Sequence, residues 1–172
     1  MKTVLALLLA AVSVTSLVSA PGCKKGGGDA SLSQAKEALV PFTRPGADHA
    51  ALFGDLRPKA EDYEAVFVGD AAAKAKAAMD PLFDSGKVLD PAADQTDIEV
   101  DGATPDQLAK QEGPATSCPA AYKGIADRIN PKVTVFCFRF VKPGDKGGLA
   151  GDALIFVNGH WAYFPKPFRW LR

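Results

Sequence analysis

Histidine and cysteine are scarce in this chain, and neither sign of charge is in excess. Its 172 residues include 2 histidines and 3 cysteines, and 20 basic side chains balance 20 acidic ones. A chain without net charge offers no electrostatic reason to bind nucleic acid or another polyanion. The few histidines and cysteines do not form the clusters that hold zinc. We therefore expect no nucleic-acid partner, no metal and no other cofactor.

Known catalytic motifs are absent as well. The sequence has no His-Glu-x-x-His, no Gly-x-Ser-x-Gly and no glycine loop of the kind that cradles phosphate. His49 and His160 are the candidates for a general base near neutral pH, and each is most simply a surface residue. The adjacent carboxylates of Glu61 and Asp62 point in different directions on a helix, where they complement the helix dipole. We predict that the protein is not an enzyme and has no catalytic residues.

Long apolar runs are confined to the first 18 residues. A short cationic start at 1–3 precedes the apolar run 4–18, which is shorter than the roughly 20 residues of a membrane-spanning helix. This order is typical of a signal peptide, which we predict to cover residues 1–22. A competing cut after Ala20 would leave a secreted soluble protein without lipid. Pro21 would then follow the cut directly and make that bond a poor substrate.

The residues at the predicted cut resemble a known processing motif. Ser19-Ala20-Pro21-Gly22-Cys23 resembles the lipobox of bacterial lipoproteins, in which small residues precede a cysteine that is acylated. The usual leucine three places before the cysteine is Ala20 here. The resemblance implies that Cys23 carries fatty acyl chains such as palmitate and becomes the N-terminus of the mature chain. Two or three such chains give effectively permanent membrane attachment.

A flexible segment follows this cysteine. Lys24-Lys25-Gly26-Gly27-Gly28 has no side chain suited to a core, so it predicts a spacer that holds a folded domain away from a lipid surface. We assign residues 23–46 to a lipidated flexible spacer and linker, and residues 47–172 to a single globular domain. This arrangement predicts a lipid-anchored protein of the bacterial cell envelope, on the periplasmic or cell-surface side. We expect the outer membrane rather than the inner one.

The two remaining cysteines form an even pair. If lipid consumes Cys23, an oxidising compartment favours a disulfide between Cys118 and Cys137. The alternatives are two buried free thiols, or a redox or metal site without a Cys-x-x-Cys motif. A bridge between them closes a loop that would stabilise the fold by roughly 3 kcal/mol in the chain-entropy model.

The first part of the domain predicts short helices. Apolar residues recur at helical spacing, and proline, glycine or a capping residue bounds each segment. Thr104 and Gln107 form a capping box, with Pro105 at the first helical position. Pro81 should kink or end the alanine-rich helix in which it lies. The predicted helices cover 31–40, 48–56, 60–67, 71–83, a short segment after 104, and 119–129.

The last third of the chain predicts strands. Alternation puts Phe136, Phe138 and Phe140 on one face of a strand. Asn158-Gly159 between two apolar runs is a strong β-hairpin signal, because both central residues of a type I′ turn need positive φ. The predicted strands are 96–100 at a sheet edge, 132–141, 153–157 and 160–164, with a glycine-rich turn at 143–151.

These elements predict the α+β fold class, with several short N-terminal helices packed on a C-terminal antiparallel meander. The arrangement resembles the cone-shaped fold of the nuclear-transport-factor-2-like and cystatin-like families, chiefly in the terminal hairpin Val157-Asn158-Gly159-His160-Trp161. With Glu61-Asp62-Tyr63 and the segment 138–144 included, the chain also resembles a group of small uncharacterised lipoproteins of Gram-negative bacteria. The fold families contain both enzymes and binding modules, so the resemblance implies a fold and no particular activity.

Arg139 is the one charged residue among the apolar residues of its strand. It either extends along the sheet to the edge or binds an anionic ligand inside a cone-shaped pocket. In the second case the protein is a small-ligand carrier or an enzyme that uses the concave face of the sheet. Arg139 and His160 would then be the polar, ligand-binding groups of that pocket.

The tail 165–172 combines two prolines with aromatic and basic residues. Phe168 and Trp170 either pack over the sheet or form an exposed aromatic-basic patch for an envelope protein or a membrane interface. The sequence as a whole predicts a membrane-anchored envelope lipoprotein whose domain serves binding or assembly.

Overall fold

The computed structural model describes residues 30–87 and 89–172. The predicted signal peptide and the lipidation site Cys23 lie outside the described residues. The α-helices are α1 (Leu32–Leu39), α2 (His49–Asp55), α3 (Ala60–Val66), α4 (Ala71–Asp84) and α5 (Pro105–Lys110). The strands are β1 (Asp97–Ala103), β2 (Val135–Val141), β3 (Gly148–Val157) and β4 (His160–Tyr163). Within these ranges, every helix is too short or too polar to cross a membrane.

Capping boxes fix where two of the helices begin. At α1 the backbone N–H of Gln34 donates to the hydroxyl of Ser31 at 3.2 Å, and the Gln34 side chain accepts the Ser31 N–H at 2.8 Å. At α5 Thr104 and Gln107 form the same reciprocal pair, at 3.3 and 2.9 Å. Each box satisfies backbone donors that a helix start leaves free. The helix starts predicted after residues 31 and 104 are thus confirmed.

The folded body begins earlier than the predicted domain boundary at residue 47. Helix α1 and the 3₁₀ turn Val40–Thr43 both lie in the segment assigned to the flexible linker 23–46. Ala35, Leu39 and Phe42 from this segment are buried against the sheet. A helix of 8 residues is marginal in isolation, and burial of its apolar side supplies the stability that its sequence lacks.

Two predicted helices differ from the observed ones. The segment predicted as a helix over 119–129 forms 3₁₀ turns at Ala120–Gly124 and Ala126–Arg128 instead. Pro81 does not end its helix, because α4 continues to Asp84. Pro81 has no N–H to donate to the carbonyl oxygen of Ala77. Both residues are exposed, so water can hydrate this carbonyl instead.

The four strands form one antiparallel sheet in the order β1-β2-β3-β4. Asn158 and Gly159 have φ values of 49° and 84°, as a type I′ turn requires. Val157 pairs with His160 and Phe156 with Trp161, which is the predicted register. The α+β fold class, with helices N-terminal to an antiparallel meander, is therefore confirmed.

The sheet separates two hydrophobic clusters. On one side, which we call the phenylalanine face, the rings of Phe136, Phe138 and Phe140 pack against residues of α1 and α2. On the other side, the disulfide face, Val135 and Cys137 pack against residues of α3, α4 and α5. The alternation predicted for β2 thus buries both of its faces, as expected for a strand between two layers.

Candidate functional site

A break in the pairing of β2 with β3 is the most unusual feature of the sheet. Phe136 pairs with Leu154, but Phe138 pairs with Gly151, so two residues of β3 lie opposite the single residue Cys137. The two residues opposite Cys137 are Asp152 and Ala153, and Ala153 has a φ of 55°. This is a β-bulge, a feature that redirects a side chain out of the regular alternation. Here two consecutive residues, Asp152 and Ala153, both lie on the disulfide face.

Asp152 is buried among protein groups and is only 4% exposed. Its Oδ1 accepts hydrogen bonds from the hydroxyl of Tyr122 at 3.1 Å and from the backbone N–H of Lys166 at 2.7 Å. Its Oδ2 has no hydrogen-bond partner in the part of the chain that the structure describes. Burial raises the pKa of Asp152 above its ordinary value, and burial together with this carboxyl raises the pKa of Tyr122 well above 10.

Backbone strain is concentrated around this carboxyl. Ala153 follows it in the chain, and Lys166 donates to it, with φ values of 55° and 54°. Residues other than glycine pay roughly 1–2 kcal/mol each for this left-handed conformation. Such strain persists where the surrounding structure enforces it, and it often marks functional positions. The two outliers therefore indicate Asp152 as a candidate site residue.

An open groove of about 610 Å³ runs past Asp152 on the disulfide face. Both cysteines of the Cys118–Cys137 disulfide line it, and so do Pro119 and Phe168. The groove carries acidic and basic side chains in equal number, namely Glu99, Asp101, Asp152, Arg139, Lys166 and Arg169. A concave site that combines apolar walls, a few polar groups and a perturbed carboxyl is the usual form of a ligand-binding site.

The disulfide predicted between Cys118 and Cys137 is present. Their Cα atoms are 5.5 Å apart, and 19 positions separate them in the sequence. The bond joins the loop after the 3₁₀ turn Gly113–Ser117 to the middle of β2. It therefore fixes one wall of the groove to the sheet, and the alternative of two free thiols does not describe this structure.

The structure does not bring the two predicted ligand-binding residues, Arg139 and His160, into one pocket. Arg139 pairs with Ala150 of β3, whereas His160 pairs with Val157. Seven residues of β3 separate the two positions, or roughly 23 Å at about 3.3 Å per residue. Arg139 lines the groove, where its guanidinium donates to the Lys146 carbonyl at 3.1 Å and lies 3.5 Å from Glu99. His160 is not part of the groove lining.

His160 instead belongs to a buried polar network centred on Asp62. The Asp62 side chain is 0% exposed and accepts from the Lys59 backbone N–H at 2.6 Å and from Asn158 Nδ2 at 2.8 Å. The Nε2 atom of His160 lies 2.9 Å from the same carboxylate. The network ties the β3–β4 turn to the start of α3. The expectation that Asp62 only complements a helix dipole is therefore wrong.

The aromatic residues of the tail pack against the body of the protein. Phe168 meets the ring of Tyr122 edge-on at 5.4 Å between centroids, and Trp170 meets Phe67 at 5.5 Å. Of the two alternatives for these rings, packing is the one observed. The cationic groups Lys166 and Arg169 remain exposed, and both reach the groove.

His49 has a structural role in the described part of the chain. Its Nδ1 lies 2.6 Å from Asp90, and its Nε2 lies 2.9 Å from the carbonyl oxygen of Phe42. Both ring nitrogens thus face acceptors, and the histidine holds the end of the first 3₁₀ turn against the loop before β1.

Sequence reasoning missed Asp152, which lies between the predicted glycine-rich turn 143–151 and the predicted strand 153–157. A carboxylate directly before the apolar run 153–157 is the signal that could have identified it. Comparisons with known proteins add no assignment, because no family model, no curated protein and no solved structure matches this chain.

Proposed function

We propose that this protein is a lipoprotein of the bacterial cell envelope whose folded domain is a non-catalytic binding module. The anchor is the set of acyl chains on Cys23, which the lipobox-like sequence 19–23 supports. The outer membrane is the proposed location. The spacer that begins at Lys24 would let the domain reach molecules in the aqueous space.

The groove beside Asp152 is the observation that carries the binding role. It joins a buried carboxyl, the strained residue Lys166 and a disulfide-fixed wall in one concave surface. A rigid wall and a pre-positioned acceptor lower the entropic cost of binding, because little has to be ordered when the ligand arrives. A binding protein gains directly from this construction.

The rival enzyme or carrier function required Arg139 and His160 to act in one pocket. Their positions along β3 differ by seven residues, and the His160 ring is held by the carboxylate of Asp62. Neither residue is therefore available to complete a site with the other. We therefore place the binding role in the Asp152 groove, which Arg139 lines and His160 does not.

The mass of the mature N-terminal peptide tests the anchor. The protein is isolated from native envelopes without prior removal of lipid, digested, and analysed by mass spectrometry. We expect a first residue of Cys23 with the added mass of two or three acyl chains. A peptide that begins at Pro21 without added mass would refute the anchor and favour the secreted soluble alternative.

A further inference from the structure

We infer that the Asp152 groove binds a neutral, hydroxyl-rich ligand of the saccharide class. This inference rests on the proposed binding function and specifies its ligand. Three acidic and three basic side chains line the groove. An anion would be attracted by three of them and repelled by the other three, and the same holds for a cation. The balance of charge therefore favours a ligand without net charge.

The acidic groups supply hydrogen-bond acceptors. Asp152 uses Oδ1 for Tyr122 and Lys166, which leaves its Oδ2 without a partner among the described residues. Asp101 lies opposite Cys137 on β1 and has no side-chain hydrogen bond in the same set of residues. Ionised carboxylates only accept hydrogen bonds, so both side chains favour a ligand with hydrogen-bond donors.

The basic groups supply donors on other walls of the groove. Arg169 has no ion-pair or side-chain hydrogen-bond partner within the described ranges, and Lys166 contributes its ammonium group nearby. Arg139 keeps donors beyond those used for Lys146 and Glu99, because a guanidinium has five N–H groups. These side chains only donate hydrogen bonds, so they favour a ligand with hydrogen-bond acceptors. A hydroxyl group both donates and accepts without carrying a charge, whereas a protonated amine is a cation that only donates and a phosphate is an anion.

The apolar walls fit the less polar faces of a sugar ring. Phe168 is half-buried, and with Pro119 and Ala150 it gives the groove an apolar area between its polar groups. The volume of about 610 Å³ lies within the roughly 300–1,000 Å³ range of small-ligand sites. Alternating apolar and hydrogen-bonding surface is what a saccharide presents.

Chemical-shift mapping with neutral disaccharides tests the inference. The probes are cellobiose and N,N′-diacetylchitobiose, with inorganic phosphate and putrescine as charged comparisons. The protein is the full mature chain with Cys23→Ser, labelled with ¹⁵N. We expect the disaccharides at millimolar concentrations to shift the amides of Asp101, Ser117 and Asp152 in a saturable way, and phosphate and putrescine to leave them unchanged.

Two variants locate the binding site. Asp152→Asn keeps an oxygen for Tyr122 and Lys166 but replaces the free acceptor with a donor, so disaccharide affinity should fall about tenfold or more. Arg169→Gln changes an exposed residue, cannot unfold the core, and should weaken binding about threefold. Arg44→Gln changes an exposed arginine outside the groove, is the matched control and should bind like the parent chain.

Several outcomes would overturn the inference. It fails if neither disaccharide shifts the groove amides, if a charged probe shifts them instead, or if Arg169→Gln and Arg44→Gln bind equally. If Asp152→Asn does not fold, Arg169→Gln decides the result. The mass of the N-terminal peptide is unaffected by any of these outcomes, so a wrong ligand class is distinguishable from a wrong lipid anchor.

Discussion

Asp62→Ala should destabilise the domain more than any exposed substitution. The carboxylate is 0% exposed and accepts hydrogen bonds from Lys59 at 2.6 Å, Asn158 at 2.8 Å and His160 at 2.9 Å. Alanine would leave these three donors without an acceptor in a place that water reaches poorly. The connection between α3 and the β3–β4 turn would be lost, including the contact of Asp62 with His160, 98 positions later in the sequence.

The expected loss can be worked from the contacts. Hydrogen bonds to a charged group contribute about 1.5 kcal/mol each, and removing one partner of a buried network costs about 3–5 kcal/mol. A loss of about 4 kcal/mol is a large share of a typical stability of about 5–15 kcal/mol. With a urea m-value of about 2 kcal/mol per M, the unfolding midpoint should fall by about 2 M.

Glu64→Gln is the matched control for this measurement. Glu64 lies on α3 two positions after Asp62, is exposed, and should change the free energy of unfolding by no more than about 0.5 kcal/mol. Urea unfolding of both variants, followed by far-ultraviolet circular dichroism, compares them directly. If Asp62→Ala unfolds at the same midpoint as Glu64→Gln, the network does not stabilise the fold and the reasoning is wrong.

Further predictions concern the disulfide and the groove. Replacing Cys118 and Cys137 by serine should lower the free energy of unfolding by roughly 3 kcal/mol, and an unchanged urea midpoint would contradict this. Gly151→Ala puts a Cβ into collision with the Phe138 ring and should cost about 1–3 kcal/mol in the same assay, whereas no loss would mean that the ring is free to move. Burial raises the pKa of Asp152 above 3.8, so the folded state holds this proton more tightly than the unfolded chain does. The free energy of unfolding therefore falls as the pH rises from 3.8 through the raised pKa. Asp152→Asn should therefore gain stability relative to the parent chain over that interval, and a difference that is constant with pH would refute the shift.

Local sequence rules were sufficient where a residue's own neighbours decide the structure. The Asn158-Gly159 turn, the capping box at Thr104 and the alternation of phenylalanines in β2 all depend on residues within a few positions of one another. The disulfide followed from counting cysteines after Cys23 was assigned to lipid. These features positioned the sheet and one wall of the groove correctly.

Features that depend on distant partners were not predictable. The role of Asp62 requires His160 and Asn158, which lie almost a hundred residues away. The bulge at Asp152 and Ala153 adds one residue to a strand, and alternation alone does not locate such an insertion. Helix α1 is predicted at 31–40 but falls within the predicted linker 23–46, because its membership of the folded domain depends on its burial against the sheet.

Triton X-114 partitioning tests most directly whether Cys23 anchors this binding domain to the membrane. The native protein and its Cys23→Ser variant are expressed in the same host, and each is separated into detergent and aqueous phases. The account predicts the native protein in the detergent phase and the variant in the aqueous phase. A native protein found wholly in the aqueous phase would contradict it.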